Sequence, residues 1–148
     1  MLTRRSLIGL LAASPLLARP ALAATPEVFS DGGAAIRGTD PVAYFTSGGP
    51  VQGSEAHMLM WRGATWLFAS AENMAAFEMN PDGYAPQYGG YCAYAVSQGY
   101  TASTDPEAWT IYEGKLYLNF SKSVRSRWER DIPGHIAQAD ANWPDVLA

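Results

Sequence analysis

The sequence predicts an α+β fold, a small single domain of two β-hairpins with short helices and a C-terminal helical segment. Two segments alternate in polarity around a short turn, and each is followed by a serine and a helical pattern. The hairpins are separated by helices without a regular β-α-β order, which disfavours a doubly wound parallel sheet. A chain of 148 residues has the length of one domain, and its single cysteine excludes an internal disulfide.

Residues 1–23 are predicted to be a cleavable signal peptide. Arg4 and Arg5 precede an apolar run at 7–17, and cleavage is expected between Ala23 and Ala24. The residues around the two arginines resemble a twin-arginine export motif, and a general secretory signal is the alternative. We therefore expect a periplasmic protein that is soluble after cleavage and has no permanent membrane anchor.

The charge of the mature chain argues against nucleic-acid binding. Removal of residues 1–23 leaves seven basic and 14 acidic side chains, a net charge of −7 with both histidines neutral. Phosphate contacts need a basic surface, so no nucleic-acid partner is expected. The only local basic excess is predicted to be the solvated face of a helix and comprises Lys122, Arg125, Arg127 and Arg130.

In the first half of the mature chain, residues 24–37 are expected to form an extended lead-in with a turn at 31–33. Residues 38–148 are expected to form the domain with its C-terminal helices. Segments 57–61 and 65–68 predict the first hairpin. Ser70 then has the position of an N-cap for a short helix that ends at Asn80 and Pro81.

The second half follows the same order of elements. Segments 109–112 and 115–120 predict a hairpin around Glu113 and Gly114, and Ser121 is the expected N-cap of the next helix. Pro133 and Gly134 are expected to break or kink that helix before a shorter run to Trp143. No repeat with significant internal identity is present.

Residues 84–99 contain the most unusual stretch, with Cys92 directly after a diglycine. Gly89 and Gly90 permit a tight backbone path, and a helix is expected to begin close to Cys92. A thiol in the first helical turn has a lowered pKa, which favours a reactive or metal-binding thiolate. The alternative is a buried cysteine that acts as a small hydrophobic residue.

Several long segments closely resemble the bacterial exported YHS-domain family. The matching runs are GTDPVAYF at 38–45, GATWLFASAENMAAFEMNPDGYAPQYGGYCAYAVSQG at 63–99, DPEAW at 105–109 and GKLYLNFS at 114–121. The resemblance extends from Gly38 to about Trp143. It implies a small α+β module with a link to metals, copper among them. Because some members of the exported branch are selenoproteins, it also implies redox chemistry at a thiol position, for which Cys92 is the only candidate.

The cysteines of the metal-associated YHS modules are missing from this chain. Residues 40–44 and 67–70 stand where those modules resemble DPVCGM and YFCS, and neither run contains a cysteine. The remaining candidate metal ligands are Cys92, Asp40 and His57, and the candidate pocket residues are Tyr44, Tyr88 and Tyr91. Met58 and Met60 would suit Cu(I), but strand alternation points them away from His57.

Three functions remain open from the sequence. The first is a periplasmic metal-binding module, with copper as the candidate ion, centred on Cys92 and serving a metal ion or a periplasmic protein partner. The second is a thiol oxidoreductase in which Cys92 cycles through a sulfenic acid. The third is a structural or interaction domain with a buried Cys92. The chain lacks GxSxG, HExxH, P-loop and GxGxxG motifs, which favours a binding module over an enzyme.

Overall fold

The computed structural model describes residues 24–148 and confirms the α+β class. The expectations for Arg4, Arg5 and Ala23 lie outside the described residues, and Ala24 is exposed at their beginning. The strands form antiparallel pairs: β1 (Ser30–Asp31) with β2 (Ala34–Ala35), β3 (Ser54–Trp61) with β4 (Ala64–Phe68), and β5 (Asp105–Tyr112) with β6 (Lys115–Asn119). The helices are α1 (Ala43–Thr46), α2 (Ala71–Met79), α3 (Pro81–Tyr84), α4 (Ala93–Ser97), α5 (Lys122–Trp128) and α6 (Ile132–Asn142).

The segment expected as an extended lead-in is itself a small hairpin. The turn predicted at 31–33 is present, with Gly32 and Gly33 at positive φ, and it joins β1 to β2. Ala35 and the following Ile36 are buried in the core. The segment is thus part of the domain, because its small apolar residues are covered by the larger hairpins.

The two main hairpins are confirmed, although β3 and β5 begin three and four residues before their predicted starts and β6 ends one residue before its predicted end. In both, the turn residues have positive φ: 48° and 73° at Arg62 and Gly63, and 49° and 77° at Glu113 and Gly114. Two consecutive residues in this region make the type I′ geometry that suits the right-handed twist of a hairpin. In both hairpins the pairing register also shifts near the open end. The shift lies between Ser54 and Met58 in β3 and between Asp105 and Trp109 in β5.

The predicted helix starts are confirmed by side-chain hydrogen bonds. Ser70 Oγ accepts from the N–H of Asn73 at 3.1 Å, and Ser121 Oγ accepts from the N–H of Val124 at the same distance. The C-terminal break falls at Asp131, slightly before the predicted position at Pro133 and Gly134, because proline is compatible with the first turn of α6.

The second half of the described chain repeats the backbone of the first at an offset of 51 or 52 residues. The strands β3 and β4 match β5 and β6 in length and register, and the capping serines match as well. The N–H of Asp40 donates to the carbonyl of Val51 at 2.9 Å, and the N–H of Cys92 donates to the carbonyl of Ala102 at 3.0 Å. Asp40 and Cys92 therefore occupy equivalent positions, although the halves share too few side chains for the repeat to be recognised by identity.

The hydrophobic core has two parts that meet at β6. Leu116 and Leu118 face a first cluster that contains Trp66 and Phe77. Tyr117, between them on the strand, faces a second cluster that contains Trp128. Because successive side chains of a strand point to opposite faces, β6 joins the two clusters into one domain. None of the helices within residues 24–148 has the length and apolar character needed to cross a membrane.

Candidate thiol site

The sulfur of Cys92 is held by backbone groups from two distant parts of the chain. Cys92 is the N-cap of α4, and its residue is 1% exposed. The Sγ atom accepts hydrogen bonds from the N–H of Ala95 at 3.5 Å and from the N–H of Phe120 at 3.2 Å. The thiol in turn donates to Oδ1 of Asn119 at 3.5 Å. Two N–H donors aimed at one sulfur are suited to stabilise negative charge there.

The pKa of this thiol is raised, so the predicted lowering is wrong. Burial is the main cause, since it disfavours the charged thiolate. Backbone N–H groups of Ala95, Phe120 and Tyr94 act in the opposite direction but do not compensate. The helix start alone suggested a thiolate, and the packing around it reverses that expectation.

Asn119 is the buried polar residue in contact with the sulfur. It is fully buried at the end of β6, and the equivalent residue at the end of β4 is Phe68. Its Oδ1 also accepts from the N–H of Tyr94 at 3.0 Å, whereas its Nδ2 has no hydrogen-bond partner among residues 24–148.

Cys92 lines a cleft of about 260 Å³ that opens to solvent. The cleft lies between α4 and the start of α5, and Tyr94, Tyr100, Phe120 and Arg127 are part of its wall. Its volume lies below the roughly 300–1,000 Å³ that is typical of sites for drug-sized ligands. The cleft therefore has room for a small molecule close to the sulfur.

Asp40, a predicted metal ligand, is fully engaged in capping contacts. Its Oδ1 accepts from the N–H groups of Val42 at 2.8 Å and Ala43 at 3.3 Å. Its Oδ2 accepts from the N–H of Ala69 and from Nδ2 of Asn73, both at 2.8 Å. The carboxylate ties α1 to the start of α2, in the same way as Cys92 ties α4 to the segment before α5.

His57, the other predicted ligand, lies on the exposed hairpin strand β3. His57 and Leu59 are half-buried, while Met58 and Met60 are 48% and 70% exposed. The alternation expected for a strand therefore separates the imidazole from both thioethers.

None of the three predicted pocket tyrosines is among the residues that line the cleft at Cys92. The hydroxyls of Tyr44 and Tyr91 donate to the carbonyls of Pro106 and Pro26, at 2.8 and 2.7 Å. Tyr88 donates to Asp140 at 2.9 Å and lines a separate polar cleft. Burial raises the pKa of all three, so these hydroxyls serve as neutral structural donors.

The donor set near the sulfur does not fit a copper ion. Within residues 24–148, no three side chains of His, Cys, Asp and Glu are grouped so as to hold a metal. The described wall of the cleft supplies one thiol and neither an imidazole nor a thioether, which Cu(I) would prefer as further ligands. A copper site at Cys92 therefore stays a prediction.

The sequence predicted the cysteine but not Asn119, which contacts the sulfur, or Arg127, which lines its cleft. Asn119 carried no signal, because the alternation of polar and apolar residues along 115–120 places a polar side chain at this position. Arg127 was assigned to a solvated helix face; it is exposed, and its guanidinium lies 5.7 Å from the ring centroid of Tyr94 at the cleft.

The fold and the site define a small α+β protein of two similar halves with one buried thiol held by backbone N–H groups. Comparisons with protein-family models, with curated proteins and with solved structures found no significant match to this chain.

Proposed function

We propose that the protein is an exported thiol-redox module in which Cys92 is reversibly oxidised to a sulfenic acid. The observation that carries the proposal is the sulfur itself, which accepts two backbone N–H groups and belongs to a residue that lines a solvent-open cleft. This arrangement suits charge on the sulfur or on an oxygen bound to it. The resemblance of 63–99 to exported YHS proteins is in accord with it.

The oxidant would be a hydroperoxide. The Cys92 sulfur gives an electron pair to one peroxide oxygen, so that an S–O bond forms as the O–O bond breaks. The sulfur loses two electrons, and the departing alkoxide takes the proton released by the thiol and leaves as an alcohol. Because no second cysteine exists in the chain, a small external thiol must complete the cycle. Its thiolate displaces water to form a mixed disulfide, and a second thiol then releases Cys92.

Trapping of the sulfenic acid tests this proposal. The native protein is treated with hydrogen peroxide in the presence of dimedone, and the mass of the adduct is measured. We expect one adduct on Cys92, none in Cys92→Ser, and recovery of the free thiol when a small thiol replaces dimedone. The single cysteine assigns every signal to one atom.

Two other outcomes would contradict the proposal. An adduct that forms only after denaturation would leave Cys92 a structural capping residue in an interaction domain. Stoichiometric copper in the purified protein that disappears in Cys92→Ser would favour the metal-binding function instead.

Export is the second part of the proposal and rests on the sequence of residues 1–23. The test compares the wild-type precursor with a double variant, Arg4→Lys and Arg5→Lys, by cell fractionation. Twin-arginine export predicts that the double variant is retained uncleaved in the cytoplasm. Unchanged export would point to the general secretory route.

A further inference from the structure

The wall of the cleft at Cys92 is mostly apolar and carries one cation. Tyr100 and Phe120 are each 53% exposed and stand at its edge, and Ala102 and Val124 are also part of the wall. Arg127 supplies the positive charge. A ligand that fits this wall has an apolar portion and a negatively charged group.

In the first half of the molecule, the equivalent carboxylate has a side-chain partner on the following helix. There Nδ2 of Asn73 on α2 donates to Oδ2 of Asp40 at 2.8 Å. At the equivalent offset of 51 residues, α5 carries Val124, which cannot make such a bond, and Arg127 stands where α2 carries Ala76. The exposed Phe120 likewise replaces Ala69. In the second half, the following helix therefore offers the cap residue no polar partner at this position, and it presents an apolar and a cationic side chain to the cleft instead.

Arg127 is available to an anion. Within residues 24–148 it forms no ion pair with a carboxylate, whereas Arg125, on the same helix, is paired with Glu129 at 2.6 Å. A guanidinium offers a planar pair of N–H donors that matches a carboxylate. Arg127 would thus bind the charged end of a ligand while its apolar part lies on the aromatic and aliphatic wall.

We propose that this cleft binds a small amphiphilic carboxylate, of the class of medium-chain fatty acids, and that the hydroperoxide of such an acid is the oxidant of Cys92. The binding step stands on the cleft alone, while the reaction step rests on the proposed function. In this reaction the O–O bond of the acid hydroperoxide breaks as an S–O bond forms, so the hydroperoxide is reduced to the hydroxy acid and the thiol is oxidised to a sulfenic acid.

Binding of decanoate tests the proposal without any peroxide. Calorimetry compares decanoate with decanol, which has the same chain length and no charge, and a parallel assay measures alkylation of Cys92 by N-ethylmaleimide. We expect decanoate to bind, to slow alkylation, and to bind more tightly than decanol. Arg127→Gln should weaken decanoate binding about tenfold to a hundredfold, as expected for loss of a charge-assisted hydrogen bond. The control Arg130→Gln removes an exposed cation of the same helical region and should leave binding unchanged.

The outcomes separate this inference from the proposed function. No binding of decanoate, or equal binding by wild type and Arg127→Gln, would overturn the carboxylate site even if hydrogen peroxide oxidises Cys92. The opposite result is also informative. If decanoate binding depends on Arg127 but no peroxide oxidises Cys92, the carboxylate site is upheld and the redox function is overturned.

Discussion

At the scale of single residues, the equivalent positions of Asp40 and Cys92 show how one structural role permits two chemistries. Both residues cap a short helix and both accept an N–H from the segment that follows a hairpin. Asp40 accepts four hydrogen bonds, so its carboxylate is satisfied inside the protein. Cys92 accepts two, and it borders an open cleft. The sulfur of Cys92, unlike the carboxylate of Asp40, is therefore the atom that can react with a ligand in the cleft.

The reactivity of Cys92 should rise steeply with pH. Because burial raises the pKa of its thiol, the thiolate fraction in the folded protein is small at pH 7 and grows about tenfold per pH unit. We expect the rate of alkylation by iodoacetamide to increase from pH 7 to pH 9 without a plateau. The chain in urea, whose thiol titrates near about 8.5, serves as control and should level off earlier. A plateau of the native rate below pH 8 would contradict the raised pKa.

Asp40 should be essential to stability. Asp40→Ala leaves the buried N–H groups of Val42 and Ala43 without an acceptor, and unpaired buried donors cost about 1–3 kcal/mol each. We expect the free energy of unfolding in urea to fall by at least about 2 kcal/mol. Glu55→Ala, a change of an exposed acidic residue on β3, should alter it by less than about 0.5 kcal/mol. Equal losses in the two variants would show that the carboxylate does not stabilise the fold.

At the scale of elements, each half is a hairpin followed by a capped helix, and the local sequence chemistry is the same in both. The turn of each hairpin ends in glycine with positive φ, and a serine begins the helix two residues after the last strand residue. Phe77 of α2 and Trp128 of α5 then occupy equivalent buried positions, each packed on an aromatic ring from the preceding hairpin at 5.3 Å. Local signals thus define each unit, and one aromatic side chain fixes its helix to the sheet.

The two capping serines should contribute equally and independently. Ser70→Ala and Ser121→Ala each remove an acceptor from the first helical turn, so each should lower the free energy of unfolding by about 1 kcal/mol. The caps belong to different halves of the molecule, and the double variant should therefore lose about 2 kcal/mol. Ser123→Ala, at an exposed position inside α5, is the matched control and should have little effect. A double variant that loses far less than the sum would indicate that one half unfolds on its own.

At the scale of the whole molecule, buried aromatic residues join the halves. Tyr117 of β6 packs on Trp128 and Tyr88 in one cluster, while its neighbours on the strand face the other cluster. Tyr44, from the first half, donates its hydroxyl to the carbonyl of Pro106 in β5. The halves thus share a core, and we expect them to unfold together.

The buried tyrosines should make the whole protein sensitive to alkali. Burial raises the pKa of Tyr117 to about 12 and also raises those of Tyr44, Tyr88 and Tyr91. The unfolded chain loses these protons near pH 10, before the folded protein does, so stability is full below pH 10 and declines as pH rises from 10 towards 12. Urea midpoints measured between pH 8 and pH 11 should fall above pH 10. Tyr117→Phe should flatten this decline, whereas the exposed Tyr100→Phe should not. A midpoint that is constant to pH 11 would contradict burial of these hydroxyls.

The features that the sequence predicted correctly are those that depend on neighbouring residues. The hairpin turns at 62–63 and 113–114 follow from local backbone preference, and the caps Ser70 and Ser121 follow from the orphan N–H groups of a helix start. The helix break was placed slightly late, at Pro133, because proline fits the first turn of a helix as well as its end. The sequence predicts the same order of elements in both halves, but the equivalence of Asp40 and Cys92 could not be predicted, because it lies in backbone hydrogen bonds and not in side-chain identity.

The sequence by itself determined the α+β class, the order of the two main hairpins and their capped helices, and the identity of the single thiol, since all of these depend on composition and local pattern. Only the tertiary structure decided the state of that thiol. The N–H of Phe120 and the amide of Asn119 reach Cys92 from 28 and 27 residues away, and the packing that brings them there also excludes water. Desolvation depends on the chain that covers a group and not on its neighbours in sequence, and for this reason the pKa of Cys92 is raised although its helix position alone would lower it.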